Sequence, residues 1–252
     1  MKSEKVQARV QEHYDYVSKL YNNRILGVFL YGSQNYNLHN EESDVDTKAI
    51  YIPTLRELTF NQPISVEHRM PNGEHCEVKD IREIIKNFKK QNINFVEILF
   101  TEYFVLNDKY KDVWNSFFIE EREKIARYDI HQAICSMSHQ SLHTLKQTSN
   151  SLEEVGKKVS NAARLLYFIE RYLRGEDYQS CIEPKGKAHD LLMEMKFDDY
   201  PLPAFYFTIE TLRMSLDGYA KADYRHLVDP TDKKRLDMLM EEATLKLIRL
   251  NF

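Results

Sequence analysis

The stretch Ile25–Pro53, ILGVFLYGSQNYNLHNEESDVDTKAIYIP, decides the fold of this chain. It reads as a short apolar strand, a polar loop that opens on Gly32-Ser33, and a second strand that begins at a pair of aspartates. Alternate residues of a strand share a face, so Asp44 and Asp46 are expected to project side by side. The residue between them is expected to turn into the core.

This arrangement predicts a metal site beside a phosphate site. Two carboxylates held close together repel each other unless a cation compensates. Mg²⁺ takes oxygen ligands and leaves room for phosphate oxygens. A glycine lets the backbone approach a ligand, and exposed amides with a serine hydroxyl can hold phosphate oxygens. Together these features indicate transfer of a nucleotidyl group, although either motif alone could be a solvated acidic pair or a plain turn.

The two motifs resemble the signature of the DNA polymerase beta-like nucleotidyltransferase superfamily. The closer resemblance is to the predicted nucleotidyltransferases of the RNA repair pathway DNA polymerase beta family. In that family the loop reads roughly Gly-Ser-x-x-Tyr-Gly-Leu, followed by Ser-Asp-x-Asp and a strand that closes on proline. Asn37 stands where the pattern has glycine, and asparagine tolerates a left-handed backbone best after glycine. The matching residues are Gly32, Ser33, Tyr36, Leu38, Ser43, Asp44, Asp46 and Pro53.

The resemblance implies an α+β protein, with a nucleotidyltransferase-fold mixed sheet and flanking helices followed by an all-α C-terminal domain. We place the catalytic domain at 1–110 and the helical domain at 111–252. The implied reaction moves a nucleoside monophosphate from an NTP, expected to be ATP, to an acceptor hydroxyl. Asp44 and Asp46 would hold two Mg²⁺ ions, with Mn²⁺ as an alternative, while Gly32 and Ser33 would hold phosphates.

The resemblance also implies a third carboxylate on a strand that follows the aspartates. Glu77 is the candidate, because it lies in the middle of the strand-like segment HCEVK and would complete the metal shell. Asp80 is the alternative, although capping of the next helix explains it equally well. Glu74 lies in a turn and is expected to be solvated. Glu97 stands in an apolar run, where a carboxylate must have a partner or face a cavity.

A basic line on a later helix is a second candidate for phosphate binding. Lys157, Asn161 and Arg164 fall at positions i, i+4 and i+7 of one helix. Arginine binds phosphate bidentately and lysine acts as a point charge, so this line could hold triphosphate oxygens. The alternative is a solvated charged face, and Lys158 is an alternative contact. Tyr36 beside the Gly-Ser loop could stack on a base.

The coarse pattern of elements places the strands early and the helices late. We predict an opening helix near residues 3–22 and strands at 27–31, 46–52, 64–70 and 75–79. From about residue 108 the strand signals disappear and helical periodicity takes over. The later helices are predicted at 112–120, 128–147, 152–174, 187–195, 203–217 and 233–250.

Composition limits the partners and the compartment. The chain has 252 residues and a formal charge of −4, so contact with RNA or DNA would need a local basic patch. The polar N-terminus is unlike a signal peptide, and no apolar run approaches the length of a membrane span. Three distant cysteines are expected to be free thiols in a reducing cytoplasm.

The acceptor stays open among RNA, a protein hydroxyl and a small molecule. Two other classes of function also stay open. One is a degenerate nucleotidyltransferase that binds Mg-NTP without transferring it. The other is an interaction protein whose helical half recruits a partner and whose acidic pair is merely solvated.

Overall fold

The computed structural model describes residues 2–41, 43–147, 152–197 and 200–252. The strands are β1 (Ile25–Tyr31), β2 (Asp46–Tyr51), β3 (Ser65–Arg69), β4 (His75–Asp80) and β5 (Phe104–Leu106). The first six helices are α1 (Lys2–Leu20), α2 (Leu55–Thr59), α3 (Ile81–Lys89), α4 (Ile93–Val96), α5 (Asp108–Trp114) and α6 (Arg122–Ala126). The later helices are α7 (Ile130–Lys146), α8 (Leu152–Leu173), α9 (Tyr178–Ile182), α10 (Lys187–Phe197), α11 (Leu202–Lys221) and α12 (Pro230–Arg249). Short 3₁₀ turns at Glu97–Leu99 and Arg225–Leu227 and a π-helical turn at Asn115–Ile119 complete the set.

The strands form one mixed sheet in the order β3-β4-β2-β1-β5 across the described residues. Strand β1 runs antiparallel to both β2 and β5, and β2 runs parallel to β4. The protein is therefore a mixed α+β protein, and four of its strands lie where the sequence predicts them. The sequence did not predict strand β5, because three residues are too few to show the alternation that is typical of a strand.

One face of the sheet packs against α1. Val10 and Val17 of this helix are fully buried together with Val28 and Leu30 of β1. Such burial contributes roughly 1.5–3 kcal/mol for each large aliphatic side chain. The helix ends at Leu20, before two asparagines with positive φ.

Aromatic side chains fill the other face of the sheet. The Phe29 ring of β1 lies 5.1 Å from that of Trp114, which stacks on Phe118 at 4.7 Å. These residues are all at most 1% exposed. This aromatic core joins the sheet to α5 and to the π-helical turn that follows it.

The chain divides into two compact units that differ from the predicted domains. The first unit comprises residues 1–35, 42–128 and 229–252, and the second comprises 36–41 and 129–228. Helix α12 groups with the first unit because Arg235 forms an ion pair with Glu121 and Asp237 forms one with Lys89. The predicted boundary at 110/111 did not assign α12 to the first unit. The partners in these ion pairs lie more than a hundred residues apart, so no local pattern could indicate them.

None of the helices in the described ranges combines the length and the apolar character that crossing a membrane requires.

Candidate active site

The Gly-Ser turn lies directly beside the second aspartate of the pair. Gly32 follows β1 with a φ of 84°, a left-handed conformation that favours glycine. A Cβ added to Gly32 would lie 3.7 Å from Oδ2 of Asp46. The amide of Asn35 donates to the Gly32 carbonyl at 2.9 Å, and Ser33 within this turn is half-buried. The turn and the carboxylate are therefore neighbours.

The two aspartates project away from the core, as strand alternation predicts. Val45 between them is 5% exposed and belongs to the core that packs against α1. Asp44 is exposed and Asp46 is half-buried. Burial, and then the charge of Asp44, raise the pKa of Asp46 above its usual range. A bound cation would relieve this repulsion, and two carboxylates suit Mg²⁺, which keeps further positions for water or phosphate.

Glu77 lies on the strand that pairs with β2, and lysines bind its carboxylate. In the parallel pairing of β2 with β4, Glu77 stands opposite Lys48. The Nζ of Lys48 contacts one of its oxygens, and the Nζ of Lys79 lies 2.8 Å from the other. Burial would raise the pKa of Glu77, but the hydrogen bonds from these two lysines outweigh it and lower the pKa.

No set of three His, Cys, Asp or Glu side chains within the described ranges is grouped to hold a metal ion. Glu77 as a third metal ligand therefore stays a prediction. The alternative carboxylate, Asp80, has the capping role that the sequence suggested. It is fully buried, accepts from the amide of Arg82 at 2.9 Å and pairs with the guanidinium of the same residue at 2.7 Å.

Glu97 has a partner, as its burial requires. It is fully buried, and its Oε1 accepts from the amide of Gly32 at 3.2 Å. This amide is one of the groups that the sequence assigned to phosphate binding. A phosphate at the turn would therefore depend on the Ser33 hydroxyl and on amides other than that of Gly32.

The prediction that Glu74 is solvated is wrong. It is 8% exposed, whereas the turn at Asn72-Gly73 suggested a solvated side chain. One carboxylate oxygen accepts from the amide of Val45, and the other faces His13, which is 1% exposed. The sequence could have indicated that His13 is buried, because it lies three residues after Val10 and therefore on the apolar face of α1.

Acidification is expected to destabilise the fold through His13. Burial lowers the pKa of His13 below its usual value of 6.5, although Glu74 opposes that shift. The unfolded chain then binds the proton more tightly than the folded chain, so stability falls as the pH decreases below 6.5. Urea unfolding at about pH 7.5 and about pH 5.5 should show a larger loss for the wild type than for His13→Gln. Equal losses in both proteins would contradict this role.

In the second unit, Arg164 of α8 is buried rather than solvated. It is 3% exposed, and its Nε and Nη2 donate to Oδ1 of Asn161 at 3.3 and 3.0 Å. Its guanidinium carbon lies 3.8 Å from the centroid of the Tyr36 ring. The alternative of a solvated charged face is therefore wrong for Arg164, whereas Lys157 on the same line is exposed.

Lys196 of α10 joins this basic group, and sequence patterns did not indicate it. Its Nζ donates to the carbonyl of Leu38 at 2.6 Å. Burial, and then the charges of Lys157 and Arg164, lower the pKa of Lys196 to about 8. The charges of Lys157 and Arg164 therefore lie close enough to act on Lys196. Asn37 in the adjoining loop has a φ of 58°, the left-handed conformation expected at that position.

The predicted site residues fall into two groups according to the compact units. Those of the first unit are Gly32, Ser33, Asp44, Asp46 and Glu77. Those of the second unit are Tyr36, Lys157, Asn161 and Arg164.

Comparison with known proteins shows a likeness to a solved structure but no match in sequence. No protein-family model and no curated protein matches the sequence. The chain is similar to the crystal structure of a nucleotidyltransferase-like protein from Exiguobacterium sibiricum, with 10% identity and a TM-score of 0.34. The alignment covers 96% of this chain and 91% of that chain. A likeness at this level does not establish a family.

Proposed function

We propose that this chain is a Mg²⁺-dependent nucleotidyltransferase of the polymerase beta-like type. It would move a nucleoside monophosphate from an NTP to an acceptor hydroxyl and release pyrophosphate. The observation that supports this most is the position of the acidic pair, since the half-buried Asp46 lies beside the Gly32 turn and is repelled by the exposed Asp44. A carboxylate whose pKa is raised by burial and by a neighbouring like charge is a candidate for a functional site.

Asp44 and Asp46 would hold the Mg²⁺ ions, or Mn²⁺ in their place. When bound, the metal supplies charge neutralisation for the triphosphate and activation of the acceptor oxygen. The Ser33 hydroxyl would orient the phosphates that meet the turn. Glu77 could join the metal shell, or accept the acceptor's proton, only after releasing an ammonium group of Lys48 or Lys79.

The basic group of the second unit would bind phosphate oxygens of the NTP, for which ATP is the first choice. Arg164 is held by Asn161 and by the Tyr36 ring, so its guanidinium is preorganised at small entropic cost. Lys157 and Lys196 would add point charges. The ring of Tyr36 is only 7% exposed and carries this guanidinium on one face, so it would support Arg164 rather than stack on a base as the sequence suggested.

Phosphate binding by this group should weaken as the pH rises. Because the pKa of Lys196 is about 8, its ammonium is largely charged at about pH 7 and largely neutral at about pH 9. Calorimetric titration with inorganic tripolyphosphate should show an affinity that falls over this range. In Lys196→Arg the affinity for tripolyphosphate should depend less on pH. In Lys196→Met it should be as weak at every pH as the affinity of the wild type at high pH. An affinity independent of pH in the wild type would contradict the assignment.

The alternative is a module that binds NTP without transferring it. The specific observation in its favour is the ion pairing of Glu77, which leaves both of its oxygens engaged by lysines. Such a protein would retain the aspartates and the nucleotide while lacking a free third carboxylate.

A pyrophosphate-release assay separates the two functions. Each NTP, labelled at the α-phosphate, is incubated with Mg²⁺ and with RNA ends, hydroxyl-bearing proteins or small polyols. If the protein is a transferase, the labelled α-phosphate should appear on one class of acceptor, together with an equal amount of pyrophosphate. Tight Mg-NTP binding without pyrophosphate for any acceptor would instead support the binding module.

A further inference from the structure

The backbone that carries the acidic pair is held by Glu74 from the core side of the sheet. Oε1 of Glu74 accepts from the amide of Val45, which lies between the two aspartates, at 3.3 Å. Val45 is itself buried against α1, so this amide has no access to water. The position of one carboxylate therefore fixes the midpoint of the Asp44–Asp46 segment.

The Glu74 carboxylate is itself tightly held. Its Oε2 accepts from Nδ2 of Asn72 at 2.7 Å and from Nε of Arg9 at 3.2 Å. It also lies 3.1 Å from Nε2 of His13, while the Glu74 amide donates to Oδ1 of Asn72 at 3.1 Å. Three donors on one buried oxygen leave the side chain little freedom, and hydrogen bonds to a charged group are the stronger ones.

His13 extends this support to the residue after the pair. Its Nδ1 lies 2.8 Å from Oγ1 of Thr47, which is fully buried. A carboxylate can only accept, so the neutral imidazole that burial favours carries its proton on Nε2. Nδ1 then accepts from the Thr47 hydroxyl. The segment is thus anchored at Val45 by Glu74 and at Thr47 by His13.

We propose that Glu74 is a positioning residue that sets the spacing of the Asp44 and Asp46 carboxylates for a divalent cation. This proposal rests on the proposed function, because it assigns a geometric requirement to the metal site. Anchors behind metal ligands typically change metal affinity by about 10- to 100-fold when removed. His13 and Thr47, both buried, support the same segment from the core side.

The test compares Glu74→Gln with a variant that weakens the same core elsewhere. Glutamine keeps the shape of Glu74 but replaces one acceptor oxygen by a donor, which must face either the amide of Val45 or the donors on the other oxygen. Val10→Ala removes buried methyl groups from α1, and Val10 takes no part in the hydrogen bonds of Glu74 described above. The readouts are urea unfolding without metal and the Mg²⁺ concentration at half-maximal ATP binding by the folded full-length chain.

We expect Glu74→Gln to raise that Mg²⁺ concentration about tenfold or more, whereas Val10→Ala leaves it unchanged. Equal Mg²⁺ dependence in wild type and folded Glu74→Gln would overturn the proposal while leaving the proposed function intact. No Mg²⁺-dependent ATP binding by the wild type would instead overturn the proposed function and this role with it. If Glu74→Gln does not fold, Glu74→Asp replaces it, because the shorter side chain keeps the charge and withdraws the carboxylate from the Val45 amide. An unchanged Mg²⁺ dependence in that variant overturns the proposal.

Discussion

Replacing Asp46 by asparagine is expected to abolish transfer without weakening the fold. Burial and the charge of Asp44 raise the pKa of Asp46, so its ionised form destabilises the folded chain when no cation is bound. Asparagine keeps the shape and removes that charge. We therefore expect the free energy of unfolding at neutral pH, without metal, to stay the same or to increase. Nucleotidyl transfer should fall by about a hundredfold or more, because a neutral amide is a poor ligand for Mg²⁺.

Asp112→Asn is the matched control for this experiment, since Asp112 is an exposed carboxylate of α5 far along the chain from the pair. It should change neither transfer nor stability. Retained transfer in Asp46→Asn would remove this carboxylate from the mechanism. A clear loss of stability in Asp46→Asn would show that the charge of Asp46 is compensated within the protein.

The ion pair between Glu77 and Lys48 should be the most stabilising one in the sheet. The Lys48 side chain is 4% exposed and that of Glu77 is 26% exposed. Glu77→Ala would leave a buried ammonium without its main partner, which typically costs about 3–5 kcal/mol of unfolding free energy. We expect the lower end of this range, because the charge of Glu97 also acts on Lys48. Urea unfolding at neutral pH measures the loss.

The double variant Glu77→Leu/Lys48→Met supplies the control, because it removes both charges together. Most of the lost stability should return, since an apolar pair of similar volume can replace a buried ion pair. A loss below about 1 kcal/mol in Glu77→Ala would show that the pair is not what holds Glu77 in place. Mg²⁺-dependent NTP binding by the folded double variant would show that the site does not need this carboxylate.

Local sequence patterns predicted the part of the site that depends on neighbouring residues. The alternation around Val45 and the left-handed backbone at Asn37 are local properties. They follow from strand geometry and from the tolerance of asparagine for a positive φ, so both could be predicted before the fold was known. The capping role of Asp80 was readable for the same reason.

Partners that are distant in sequence could not be predicted in this way. Glu74 bonds to Val45 and His13, which lie 29 and 61 residues away, and its burial arises only when α1 covers the sheet. Glu77 looked like a free carboxylate until the register of β2 with β4 placed Lys48 opposite it. Lys196 joined the basic group because α10 packs near α8, which no spacing within either helix indicates.

The most direct test of the central claim is titration of ATP, GTP, CTP and UTP, with and without Mg²⁺, against the wild type and the Asp44→Asn/Asp46→Asn double variant. We predict metal-dependent binding of at least one NTP by the wild type, and loss of that metal dependence in the double variant. Binding of no NTP by the folded wild type, or equal Mg²⁺-dependent binding by both proteins, would contradict a nucleotidyltransferase site at Asp44 and Asp46.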